Sequence, residues 1–183
     1  MEVKELMNMM QKIIPLLMIC SAITFSTHAQ QRREIGAEFQ RSFGKGYSGN
    51  MAGPRYESYK NKNSFNIGLT YHFPTKKSYS VSKGFGIYAG YRLGFGSITS
   101  KGNPFAGLRM LFSFQNFEGK TNLNSLMITP IAEAGYHYGI TSKIFATGSV
   151  GYGYTIKKSK DYNSLDEDTG GRIIPALAAG YRF

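Results

Sequence analysis

GRIIPALAAGYRF, residues Gly171–Phe183, alternates without a break. Ile173, Pro175, Leu177, Ala179, Tyr181 and Phe183 fall on one face, and Arg172, Ile174, Ala176, Ala178, Gly180 and Arg182 on the other. A period of two is the pattern of a β-strand. The strand runs to an aromatic residue with no polar tail after it. Ends of soluble domains usually fray, so this strand is expected to have a neighbour that holds it to its last residue.

The same alternation recurs upstream. Ile35, Ala37 and Phe39 alternate with Gly36, Glu38 and Gln40; Phe65, Ile67, Leu69, Tyr71 and Phe73 with Asn66, Gly68, Thr70 and His72. Phe85 to Phe95 places Tyr88 and Arg92 opposite its apolar face, and Ala106 to Phe114 does the same with Arg109. Ile128 to Tyr138 sets Glu133 and His137 opposite Ala132, Ala134 and Tyr136, and Ile144 to Tyr154 completes the series. With the final segment this makes seven strands of about ten residues, separated by polar, turn-forming stretches. Single-chain bacterial membrane barrels have an even strand number, and Pro54–Lys60 is the candidate for the eighth. Counting back from the last strand predicts short turns at Asn61–Asn63, Ile98–Asn103 and Gly139–Lys143 on the periplasmic side. Gly44–Gly53, Pro74–Lys83, Asn116–Asn124 and Lys157–Gly171 are then external loops. Lys76, Lys77, Lys83, Lys120, Lys157, Lys158 and Lys160 give these loops a basic cast.

The amino-terminal residues read differently. Lys4 and Lys12 flank a leader, an apolar run follows from Ile13 to Phe25, and Thr27 and Ala29 supply small residues before Gln30. That is the order of a secretory signal peptide. It predicts a cleaved leader over residues 1–29 and a barrel domain over 30–183. The apolar run is too short to cross about 30 Å of hydrocarbon as a helix. Cys20 falls within the leader, so the mature chain would contain no cysteine, disulfide or thiolate metal site. The net charge of +11 survives removal of the leader, which carries equal numbers of lysines and glutamates. An exported chain without a basic helix or an aromatic–basic RNA motif is not expected to bind nucleic acid. Lipid phosphates or extracellular polyanions suit that charge better.

The apolar face decides the class. A soluble barrel turns it inward, whereas a membrane barrel turns it toward lipid. One face of nearly every strand here is large and aromatic, and the other mixes Gly, Ser and Thr with single charges. Tyr and Phe gather at strand ends, as in an aromatic girdle. A lipocalin-type soluble barrel would carry a long helix and often a disulfide, and neither is apparent. The expected fold is all-β: an eight-stranded antiparallel up-and-down transmembrane barrel behind a signal peptide.

The cleavage region Thr27–Gln31, the Gly- and Tyr-rich alternation and the terminal GYRF resemble small outer-membrane β-barrel proteins of Gram-negative bacteria. The likeness is to OmpA/OmpX-like, porin-family barrels of the Bacteroidetes type, over the whole of 30–183. It implies residence in the outer membrane, contact with outer-membrane lipid and lipopolysaccharide, and recognition by the barrel assembly machinery. Leu177, Ala179, Tyr181 and Phe183 would be the assembly signal. Ala176 and Ala178 depart from the Gly and polar residue that the family's signal prefers upstream.

An eight-stranded barrel is just wide enough for its own side chains to fill it. The inward positions Glu38, His72, Arg92, Arg109, Glu133, His137 and Arg182 are expected to form a polar network in the lumen. Glu133 and His137 lie four residues apart on one face, roughly 13 Å along the strand, too far to bond each other. No nucleophile–base–acid set is apparent, and His72 and His137 lack ligand spacing. Asp161, Asp166, Glu167 and Asp168 do not fit a calcium loop. No cofactor is expected. The reading is a monomeric, non-enzymatic outer-membrane barrel contributing to envelope integrity or surface interaction. A narrow solute channel and a lipid-modifying enzyme are the alternatives.

Overall fold

A computed structural model describes residues 32–44, 48–77, 80–96, 101–118, 123–159 and 169–183. The leader, Asp161, Asp166, Glu167, Asp168, Lys120 and Lys160 lie outside the described residues. Eight strands follow in order: β1 (Arg33–Gly44), β2 (Ser48–Lys60), β3 (Asn63–Lys77), β4 (Ser80–Gly94), β5 (Gly102–Glu118), β6 (Leu123–Gly139), β7 (Ile144–Ser159) and β8 (Gly170–Arg182). Each pairs antiparallel with the next, and β8 returns to β1, so the sheet is a closed barrel in sequence order. The described residues contain no helix. Arg32, Phe183 and the β2–β3, β4–β5 and β6–β7 turns share one end, termed here the terminal end.

The strands overrun the expected bounds. β2 begins at Ser48 rather than Pro54, β3 continues to Lys77, the β3–β4 and β5–β6 hairpins pair far into the stretches expected to be loops, and β7 runs on to Ser159 against β6. Asn63, Gly102, Asn103 and Gly139 are likewise strand, not turn. The reason is that alternation reports the apolar face only. A strand needs about 9–11 residues to cross hydrocarbon, whereas backbone pairing does not depend on side-chain polarity and continues beyond that. Pro74 coincides with a register shift between His72 and Thr75, where its missing N–H would otherwise leave a gap in the ladder. Asn61 takes a positive φ of 56° in the two-residue turn between Lys60 and Asn63, a conformation that Asn tolerates.

Closure is tight. Arg33 N donates to Phe183 O at 3.2 Å, and Phe183 N to Arg33 O at 3.0 Å. Gly36 faces Gly180 across β1–β8. A Cβ on Gly36 would lie 3.0 Å from Gly180 Cα, and one on Gly180 would meet Ile35 O and Gly36 Cα more closely still. Only hydrogen fits at this crossing.

The distribution of side chains is inside-out. Ile35, Phe39, Leu69, Phe85, Leu108, Val150, Tyr152 and Leu177 are exposed on the outer wall, while Glu34, Glu38, Arg55, Glu57, Arg92, Arg109 and Glu133 are buried within. β8 shows the alternation plainly: Leu177 is 68 % exposed, whereas Ala176 and Ala178 are buried.

Candidate functional site

The lumen is filled in layers. Its centre is a closed ring of six alternating charges. Glu38 accepts from Arg109 Nη1 at 2.5 Å and from Arg55 Nη1 at 3.2 Å. Arg55 also pairs with Glu57. Glu57 accepts from Arg92 Nη1 at 3.3 Å, and Arg92 Nε donates to Glu133 Oε1 at 2.7 Å. Arg109 pairs with Glu133 and completes the circuit. Each carboxylate bridges two guanidiniums and each guanidinium two carboxylates. The ring is neutral, which matters because an unpaired buried charge costs several kcal/mol. Planar guanidinium forks suit such bridging better than a lysine ammonium.

Aromatic faces support the ring. Arg109 lies 4.8 Å from the Tyr88 ring centroid, Arg92 4.4 Å from Phe105, and Arg55 5.9 Å from Phe145. These are cation–π distances. Gln40 Nε2 donates to Glu38 at 2.5 Å and Ser64 Oγ to Glu57 at 2.5 Å. Tyr88 needs the bare backbone of Gly68, where a Cβ would come within 2.5 Å of Tyr88 Cζ.

A second cluster sits at the terminal end. Glu34 Oε1 accepts from Arg32 Nη2 at 2.6 Å and from Arg182 Nε at 2.9 Å. Tyr59 Oη donates to Glu34 Oε2 at 3.1 Å. His137 Nε2 lies 2.7 Å from Arg32 Nη2 and 3.0 Å from Arg182 Nη2, and His137 Nδ1 lies 2.9 Å from Thr147 Oγ1. Two guanidiniums and Glu34 Oε1, the latter at 3.3 Å, converge on Nε2. His137 also stacks on Phe145 at 5.3 Å.

Beyond the ring, away from the termini, Met51, Tyr88, Leu111, Ile131 and Ile174 form an apolar layer. His72 lies past it, 3.2 Å from Gln115 and 3.4 Å from Thr70. Two interior cavities measure about 20 Å³, beside Ser42, His72 and Gln115, and about 10 Å³, beside Tyr59, Arg92 and His137. Each has room for about one water molecule. A wider hollow, of about 610 Å³, lies instead on the apolar outer wall over Ala89, Leu108, Met110 and Ala132. Among the described residues no group of three His, Cys, Asp or Glu side chains could hold a metal ion.

The seven lumen residues expected from sequence therefore divide three ways. Glu38, Arg92, Arg109 and Glu133 meet in the ring; His137 and Arg182 meet in the terminal cluster; His72 stands apart beyond the apolar layer. Sequence reasoning missed Arg55, Glu57 and Glu34. The parity that selected Glu38 also selects Glu34, and the RYESY run of β2 alternates Arg55, Glu57 and Tyr59 with Tyr56 and Ser58. Leu177, Ala179, Tyr181 and Phe183 all lie exposed on the outer face of β8.

No protein-family model matches the chain, and no curated protein does. Solved structures do. The chain is similar to Neisserial surface protein A, with a TM-score of 0.60 at 17% identity over 84% of this chain and 96% of that one. It is similar to the N-terminal β-barrel domain of Pseudomonas aeruginosa OprF, with a TM-score of 0.59 at 17% identity over 83% and 97%. It is also similar to Ail, the attachment invasion locus protein of Yersinia pestis, with a TM-score of 0.52 at 16% identity over 84% and 97%. At these identities the shared property is the fold, that of a small eight-stranded outer-membrane β-barrel.

Proposed function

We propose that this protein is a monomeric, plugged outer-membrane β-barrel that works through its surface, as an envelope or surface-interaction protein, and not through an enzymatic site. The inverted barrel carries this reading. An apolar outer wall suits hydrocarbon as the outer solvent, and beside the ring and the apolar layer the described lumen residues line cavities of about 20 and 10 Å³. Among the described residues, a lumen so filled supports neither a seat for a lipid substrate nor a continuous water path. Two of the similar barrels are named for a surface and for attachment, which supports the surface role. Export by a leader cleaved after Ala29, contact with outer-membrane lipid and lipopolysaccharide, and insertion by the barrel assembly machinery belong to the same proposal.

The test is location together with permeability. The protein should fractionate with outer membranes and migrate differently on a denaturing gel before and after boiling. Reconstituted vesicles should admit small solutes no faster than empty ones. Recovery from the aqueous periplasmic fraction would sink the reading, and rapid solute entry would replace the plug with a channel.

Within this reading Leu177, Ala179, Tyr181 and Phe183 form the assembly signal. Deleting Phe183 removes both hydrogen bonds of the last β1–β8 pair, each worth about 1 kcal/mol, and one exposed aromatic. Pulse-labelling should show slower appearance of the heat-modifiable form in cells. Wild-type assembly kinetics for the truncation would refute the signal role.

A further inference from the structure

At the terminal end the residue immediately before every odd-numbered strand is basic: Arg32 before β1, Lys62 before β3, Lys101 before β5 and Lys143 before β7. Their backbones are held alike. Arg32 O accepts from Tyr59 N at 2.9 Å, Lys62 O from Gly94 N at 2.8 Å, Lys101 O from Gly139 N at 2.6 Å, and Lys143 O from Arg182 N at 2.7 Å. The donors come from the ends of β2, β4, β6 and β8 in turn. Four cationic stations are thus pinned at every second strand round one rim. Arg32 turns inward to Glu34; Lys62, Lys101 and Lys143 are exposed, as is Lys60 beside them. Every carboxylate side chain described at this end or within the barrel (Glu34, Glu38, Glu57 and Glu133) is buried, so none offsets the lysines at the surface. The outer wall next to the rim carries Phe95, Tyr138, Ile140, Tyr181 and Phe183, rings and side chains that suit a membrane interface.

We infer that Lys62, Lys101 and Lys143 form a collar that binds the phosphates of acidic phospholipid headgroups in the leaflet surrounding the terminal end. The inference rests on the membrane reading above and adds a partner to it. Charge complementarity selects an anion, the adjacent apolar belt places the collar at headgroup depth, and spacing round the rim suits a ring of separate headgroups better than one bound molecule. Lysine stems can lie along the belt while the ammonium reaches the phosphate. Each cation near an anionic surface is worth roughly a fivefold preference.

The test uses the refolded chain in phosphatidylcholine vesicles, with and without an equal proportion of phosphatidylglycerol. The lipid retained after gentle detergent extraction is identified by mass spectrometry. Wild type should retain phosphatidylglycerol over phosphatidylcholine by roughly fivefold or more at low salt, and the preference should collapse at about 1 M salt, where the Debye length is near 3 Å. The K62Q/K101Q/K143Q variant should lose the preference, whereas K62R/K101R/K143R should keep it. Arg41→Gln, an exposed charge on β1 away from this rim, should leave it unchanged. Equal retention of both lipids by wild type, an undiminished preference in the glutamine variant, or capture of soluble polyphosphate in place of lipid selectivity would overturn the inference. Failure to enter pure phosphatidylcholine vesicles is a different result, and it would overturn the membrane reading itself.

Discussion

Glu133→Gln should destabilise the folded barrel by about 3–5 kcal/mol, the usual cost of removing one partner from a buried ion pair. Glu133 joins Arg92 to Arg109. Without its charge the six-membered circuit opens, and three guanidiniums share two carboxylates. The effect should be read from urea unfolding of the barrel in a fixed detergent or vesicle, with boiled and unboiled gel mobility reporting the folded fraction. Arg109→Met alone should also be costly, because Glu38 then keeps only Arg55 and Gln40. The double variant is the sharper measurement. Removing Glu133 and Arg109 together leaves Glu38–Arg55–Glu57–Arg92, a neutral open chain. Its cost should fall below the sum of the two single variants by about 1–3 kcal/mol, as expected for directly coupled partners. Strict additivity would mean that the ring is a set of independent contacts.

Gly180→Val should abolish the closed barrel. Gly180 and Gly36 cross where β8 meets β1, and a Cβ on Gly180 would run into the backbone of Ile35 and Gly36. A flexible side chain could yield; a backbone in a closed ladder cannot without losing its hydrogen bonds. The variant should remain in the unfolded, heat-unmodified band, or fold with β1 and β8 apart and this seam open to proteolysis. Ala178→Val on the same strand is an informative contrast. It adds bulk toward the lumen without striking the partner backbone, so it should destabilise while still closing. A Gly180→Val protein of wild-type mobility and protease resistance would show that the seam has slack that its geometry denies.

The fold was readable because two-residue alternation is a local property. Ile35 to Phe39, Phe65 to Phe73 and Leu177 to Phe183 each announce their strand without help from a neighbour. β2 is harder to read, since Ala52 and Pro54 stand where other strands carry large apolar residues, and the contrast between faces is weak. That is why Arg55 and Glu57 went unassigned although they supply two of the six ring charges. Parity assigns a side chain to the lumen but not to a height. Glu38, Arg109 and Glu133 come from β1, β5 and β6 and meet only because pairing register round the barrel brings them level. The same registers carry His72 beyond the apolar layer and His137 to the opposite end. Strand ends are not legible for a related reason: apolar alternation stops where hydrocarbon would stop, while backbone pairing does not.

The cations of the plug are arginines, namely Arg55, Arg92 and Arg109, whereas the collar is built of lysines. The two kinds of positive charge are therefore chemically separable in the folded protein. An amine-directed reagent such as an acylating ester would neutralise the rim and leave the guanidinium circuit intact. Surface charge can be erased in this way without a mutation and without loosening the interior.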